Sequence, residues 1–250
     1  MKFRRLLLAT FAVVIVSGLA QAKSSDDLSA DEVIAKADEG RIPPGPLTVE
    51  TKIEDYEKDE KVHETKYKIY VGADINYSLT DTIAPERQKG RKLLMDHDSI
   101  WLYTPDVKRA VRVSLQQRLT GEISNGDLSR TNFAGDYDGE MIDKQDLDGR
   151  QAYHMMLKAK RSTVMYAKIE YWVWADDFLP AQAVFYALSG KKIKTGLYSE
   201  PKVLLGHKRI SKTKFSSAVD AKRSSVMSYQ NFKKATIPKS FFNKEGLGDR

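Results

Sequence analysis

Cysteine is absent from the 250 residues. That removes disulfides, thiolate nucleophiles and cysteine metal sites together, without arguing against export, because a large core needs no covalent staples. Catalytic signatures are missing as well: there is no G-x-S-x-G, no phosphate loop and no dinucleotide fingerprint. The four histidines, His63, His97, His154 and His207, are dispersed, each in or beside a predicted strand. Hydrogen-bonded or exposed imidazoles are the ordinary outcome for such residues, so no metal site is expected. The run Asp143-x-x-Asp146-x-Asp148-Gly149 has a faint calcium-loop look, but it lacks the spacing and the terminal bidentate Glu of an EF-hand and reads as a solvated turn. No catalytic residue, no cofactor and no enzymatic activity are expected. A dominant charge of one sign is also lacking. Lys and Arg number 41 against 34 Asp and Glu, a formal net charge of +7, and Lys2, Arg4 and Arg5 alone carry three of it. The remaining basic residues are scattered among acids, which disfavours nucleic-acid binding.

Long apolar runs are scarce too, and the single one is at the start. Lys2, Arg4 and Arg5 form a basic n-region, residues 6–16 (LLLATFAVVIV) an apolar h-region, and Ala20-Gln21-Ala22 puts small residues at the two positions a signal peptidase reads. The run is shorter than the roughly 20 apolar residues that cross a bilayer core. The expectation is a signal peptide over 1–22 cleaved after Ala22, a mature chain in the periplasm, a leader and N-terminal helix over 23–44, and one domain over 45–250.

The mature chain opens with a helix. Ser29 and Glu32 form a capping box, Val33, Ile34 and Ala37 supply an apolar face, and Gly40 ends it before Ile42-Pro43-Pro44-Gly45-Pro46. Strand patterns then follow one another: 48–56, 62–71, 75–83, 92–95, 99–104 and 109–113, and later 138–145, 152–160, 168–174, 181–188, 191–199, 203–210, 212–219 and 223–232. The short connections favour antiparallel neighbours. Between Leu115 and Asp136 the alternation lapses. Leu115, Leu119 and Ile123 fall at i, i+4 and i+8, one face of a helix that Gly121, Gly126 and Gly135 weaken. The expected fold class is α+β and mainly antiparallel β, with a sheet that curls, splits or closes rather than lying flat, because so many strongly twisted strands do not stay flat, and with a labile amphipathic lid segment.

Apolar alternation suggests what the concave face carries. Trp101 and Tyr103 alternate on one strand, Tyr171 and Val173 on another, and Met155 shares a face with Tyr153 and Leu157. These residues fit an ordinary core as well as the wall of a ligand cavity. The candidate ligand cavity has Trp101, Tyr103, Met155, Tyr171 and Val173 as lining, with Leu115, Leu119 and Ile123 as the closing face of a lid.

A family resemblance rests on ordered segments. Residues 92–105 (KLLMDHDSIWLYTP) followed by 109–113 (RAVRV), the stretch from Ser124-Asn125-Gly126-Asp127-Leu128 through Phe133 to Asp136-Tyr137, Trp172-x-Trp174 to Leu179-Pro180, and Ile237-Pro238 to Phe241-Phe242 and Leu247 resemble, in order and spacing, the outer-membrane lipoprotein-sorting proteins, a LolA-like family. The likeness covers roughly residues 45–247. It implies a half-closed antiparallel barrel with a helical lid, a hydrophobic cavity, and periplasmic transport of lipid or lipid-modified protein. The implied partners are lipid or lipoprotein acyl chains and an inner-membrane transporter. The alternative is an envelope scaffold that docks on a membrane transporter or assembly machine without carrying cargo.

Overall fold

The computed structural model describes residues 28–43, 45–129 and 132–249. The signal-peptide reading, with Ala20 and Ala22, lies outside the described residues.

Helix α1 (Ala30–Glu39) forms as its sequence dictates. Ser29 caps it, the Glu32 carboxylate reaches back to the Ser29 N–H at 2.8 Å, and Val33, Ile34 and Ala37 are buried. After it the chain runs as a meander. From β1 (Leu47–Glu57) it steps outward through β2 (Glu60–Val71), β3 (Tyr77–Ala84), β4 (Lys92–Asp96) and β5 (Ser99–Thr104) to β6 (Arg109–Val113). It then crosses to the far side and returns through β9 (Tyr137–Leu147), β10 (Arg150–Ala159), β11 (Lys168–Trp174), β12 (Pro180–Tyr186), β13 (Lys192–Leu204) and β14 (His207–Ser217) to β15 (Arg223–Lys234), which pairs with β1. Every pairing is antiparallel, and the result is one large curved sheet of 13 strands with β6 and β9 at its two edges. Consecutive antiparallel strands can be joined by tight turns, and the accumulated right-handed twist curls a sheet of this width.

The crossover from one edge to the other, residues 114–136, therefore has to span the curved sheet. It holds a small hairpin, β7 (Arg118–Thr120) and β8 (Ile123–Ser124), and two short helices, α2 (Asn125–Ser129) and α3 (Phe133–Asp136). This corrects the helical reading of Leu115, Leu119 and Ile123: they sit in a turn and a hairpin, not on one helix face. A second correction concerns residues 191–219, where three strands were expected and two long ones, β13 and β14, are found. They meet at Leu205-Gly206, both at positive φ (50° and 83°), the geometry of a tight hairpin turn in which Leu is an unusual occupant. Pro201 does not break β13, because it pairs with Ile210 on one side only: β12 reaches no further than Leu197.

The main core lies between the sheet, α1 and the crossover. It includes Val33 and Ile34 of α1, Val49 and Ile53 of β1, Tyr153, Met155 and Leu157 of β10, Tyr171 and Val173 of β11, and Phe133 of α3. The opposite face of β3–β5 carries a second cluster, Tyr77, Leu79, Leu94 and Tyr103, covered by Phe242 and Leu247 of the C-terminal segment.

Candidate functional site

The crossover buries Leu115, Ile123, Leu128 and Phe133 in the main core and is also pinned to its surroundings by polar contacts. At the hairpin tip, Thr120 donates to Asp55 of β1, and Ser225 of β15 donates to the same carboxylate and accepts from the Glu122 N–H at 2.8 Å. Farther along, Asp127 of α2 pairs with Lys194 of β13, whose Nζ also donates to the Glu122 carbonyl at 2.7 Å. The Asp127 carboxylate accepts from the Tyr166 hydroxyl at 2.8 Å and from the Ser124 N–H and hydroxyl at 2.8 and 2.7 Å. At the far end, the Ala134 N–H donates to Asp38 of α1 at 2.8 Å, and the Arg41 guanidinium lies 3.6 Å from the Phe133 ring centre.

These contacts sit in low dielectric. Lys194 and Asp127 are each 3% exposed at the side chain. Burial draws the Lys194 ammonium below its ordinary range, and Asp127 and Glu122 only partly offset it. Burial alone would also lower Arg41, but Asp38, Tyr171 and Tyr198 outweigh it, so its net shift is upward and the guanidinium stays charged. Tyr166 is held neutral, by burial first and by the Asp127 charge second.

Two cavities matter. Deep in the core, a void of only about 30 Å³ lies among Arg41, Asp127, Phe133, Met165, Phe215 and Tyr229. Beside the hairpin, a pocket of about 700 Å³ opens between Gln116–Ser124, the β10–β11 connection and the turn after β12, with Ile123, Val164, Met165 and Ile193 among its walls.

The candidate lining residues divide. Leu115, Ile123, Met155, Tyr171 and Val173 come together in the main core. Of these, Ile123 borders the large pocket. Leu119 packs at the core's margin and lines a smaller cavity of about 170 Å³ on the other side of the hairpin. Trp101 and Tyr103 are a correction: they belong to the second cluster, with Lys244 over the Trp101 ring and Gly248 against Tyr103. Their β5 neighbours Ile100 and Leu102 take the core side instead, as the two-residue period of a strand requires. Reading residues alone did not pick out Arg41, Asp55, Tyr166 or Lys194. A signal existed for two of them: Asp55 continues the alternation of Leu47, Val49, Thr51 and Ile53, and Lys194 alternates with Gly196 and Tyr198. Among the described residues no group of three or more His, Asp or Glu side chains is placed to hold a metal ion, and no helix is long and apolar enough to cross a membrane.

One curved antiparallel meander of 13 strands, with the link between its edges strapped across the core and a pocket of mixed apolar and charged lining at that strap, defines the class of fold. Comparison with known proteins gives the family. A LolA superfamily protein from Nitrosomonas europaea shares 30% identity over 87% of this chain and 99% of its own, with a TM-score of 0.82. An outer membrane lipoprotein-sorting protein domain from Vibrio parahaemolyticus superposes at 0.76 with 17% identity, over 90% of this chain and 100% of its own. A DUF1329 family protein from Desulfovibrio piger superposes at 0.74 with 18% identity, over 87% of this chain and 97% of its own. A family model described only as "-like: Uncharacterized protein" matches residues 74–249. No curated protein matches the chain. The chain belongs to the LolA superfamily.

Proposed function

We propose that the protein is a periplasmic carrier that holds the acyl part of a lipid or lipid-modified protein and moves it between envelope membranes. It acts by binding and release rather than by catalysing a reaction. The observation that carries this reading is the crossover. It covers an apolar interior and borders a partly apolar pocket of about 700 Å³, and it is held by packed side chains, hydrogen bonds and ion pairs rather than as a strand of the large sheet, so it can move without unravelling that sheet. The pocket volume falls within the roughly 300–1,000 Å³ typical of small-molecule sites. Each methylene transferred from water contributes about 0.8 kcal/mol, so an acyl chain binds tightly there without a conspicuous motif.

The test is titration of the delipidated mature protein with a fluorescent acyl probe, alongside mass spectrometry of whatever co-purifies from the periplasm. Saturable binding and a co-purifying lipid are expected. No saturable binding by delipidated protein would defeat the carrier reading. The second reading, a scaffold that docks on a membrane transporter, has one observation in its favour: the central void is only about 30 Å³, as in a filled core.

A further inference from the structure

The large pocket has one charge more than its internal pairing uses. Four charged side chains line it: Arg118, Glu122, Arg161 and Lys194. Lys194 is paired with Asp127. Glu122 lies 3.5 Å from Arg223. Arg161 is held by Asp98 and Asp136, each at 2.8 Å. Among the described residues Arg118 has no carboxylate within salt-bridge distance. It is exposed at the start of β7, on the hairpin that forms one wall, while the other walls present Ile123, Val164, Met165 and Ile193. Leu188, 94% exposed, extends the apolar surface at the mouth.

We propose that this pocket binds a single-chain amphiphile with an anionic head, the tail lying on Ile123, Val164, Met165 and Ile193 and the head paired with Arg118. This rests on the carrier reading of the same pocket and names its ligand class. Size supports one chain. A methylene occupies about the 30 Å³ that a water takes in the liquid, so about 700 Å³ holds on the order of twenty such groups, one long tail rather than two or three. Charge supports an anion. A guanidinium offers a planar fork of donors to a carboxylate or phosphate, and a neutral head leaves it with water alone. A cationic head is opposed by Arg118 and finds Glu122 already facing Arg223. The residue therefore sets selectivity, while the apolar walls set affinity.

The test uses delipidated mature protein and displacement of a fluorescent fatty-acid probe by four competitors: palmitate, hexadecanol, lysophosphatidylglycerol and lysophosphatidylcholine. Each anion is expected to compete about two- to fivefold better than its partner without net charge, the scale of one solvent-exposed ion pair. A preference for palmitate alone identifies a free fatty acid as the source of the head, and a preference for lysophosphatidylglycerol alone a phospholipid; either supports the proposal. Arg118→Gln should remove the preference by weakening the anions and leave hexadecanol unchanged, and Arg118→Lys should keep most of it. Equal competition by charged and uncharged ligands in the wild type, or a preference that survives Arg118→Gln, overturns the proposal while leaving the carrier reading intact. If none of the acyl compounds or the probe binds, the carrier reading falls and this inference with it.

Discussion

Lys194 shows how a single residue can be visible and still be missed. It stands in a lysine-rich stretch with Lys191 and Lys192, which reads as a solvated strand end. Only the two-residue period, continued through Gly196 and Tyr198, turns its side chain inward, where it meets Asp127 and the Glu122 carbonyl. Removing one partner of a buried pair leaves an uncompensated charge, which costs about 3–5 kcal/mol. Asp127→Asn should therefore lower stability by that order in urea denaturation. Lys194→Met in the same chain should restore part of the loss, because it removes the stranded ammonium; an additive double variant would mean the two residues are not coupled. Trp101 and Tyr103 teach the complementary lesson. Their apolar alternation was legible, but a strand has two faces, and which one meets the cavity depends on elements far away in sequence. Tyr103→Ala should loosen residues 237–249, seen as faster proteolysis there, and leave acyl-probe affinity unchanged, since Tyr103 packs with Phe242 and Leu247. A drop in affinity would return Tyr103 to the cavity wall.

Among the elements, α1 was legible to the residue because its cap, apolar face and stop are all local. The meander was largely legible for the same reason: alternation and tight turns are short-range signals. The crossover was not. Its glycines read as weak points of a loose helix, whereas they are points of close approach. Gly121 has φ +46°, and a Cβ there would lie 2.0 Å from Asp55 Oδ1 and 2.3 Å from Ser225 Oγ. A Cβ on Gly126 would lie 2.3 Å from Met165 Sδ. No residue-by-residue pattern announces that the partner of a glycine is a carboxylate on β1. The polar docking yields a sharp expectation. Gly121→Ala should push the hairpin off Asp55 and Ser225, raising amide exchange in 118–124 while α1 and β10 keep their protection. Unchanged exchange in the hairpin would mean the docking does not hold it.

At the scale of the whole molecule, the strands run without a linker from Leu47 to Lys234, and the last of them, β15, pairs with the first. The chain's two halves thus share one sheet, and a single calorimetric transition is expected; two separated transitions would expose a boundary. The core also holds several buried phenols, with the half-buried Tyr229 packed against it. Tyr67, Tyr137, Tyr166, Tyr171, Tyr198 and Tyr229 are all pushed above the ordinary value near 10, in each case chiefly by burial. A phenol whose pKa is higher in the folded state keeps its proton there after the unfolded chain has lost it. Below about pH 10 both states are protonated and these groups contribute their full stability. Above it the unfolded state binds fewer protons, so stability falls with each step in pH. With six such groups the fall should be steep. Urea midpoints should be flat with respect to tyrosine ionisation up to about pH 9.5 and then decline. The phenolate absorbance of these side chains should appear only together with unfolding, after the exposed tyrosines have titrated. Smooth titration of every tyrosine at an ordinary value in the folded protein would show instead that water reaches the interior between the sheet and the crossover, an opening already present without ligand.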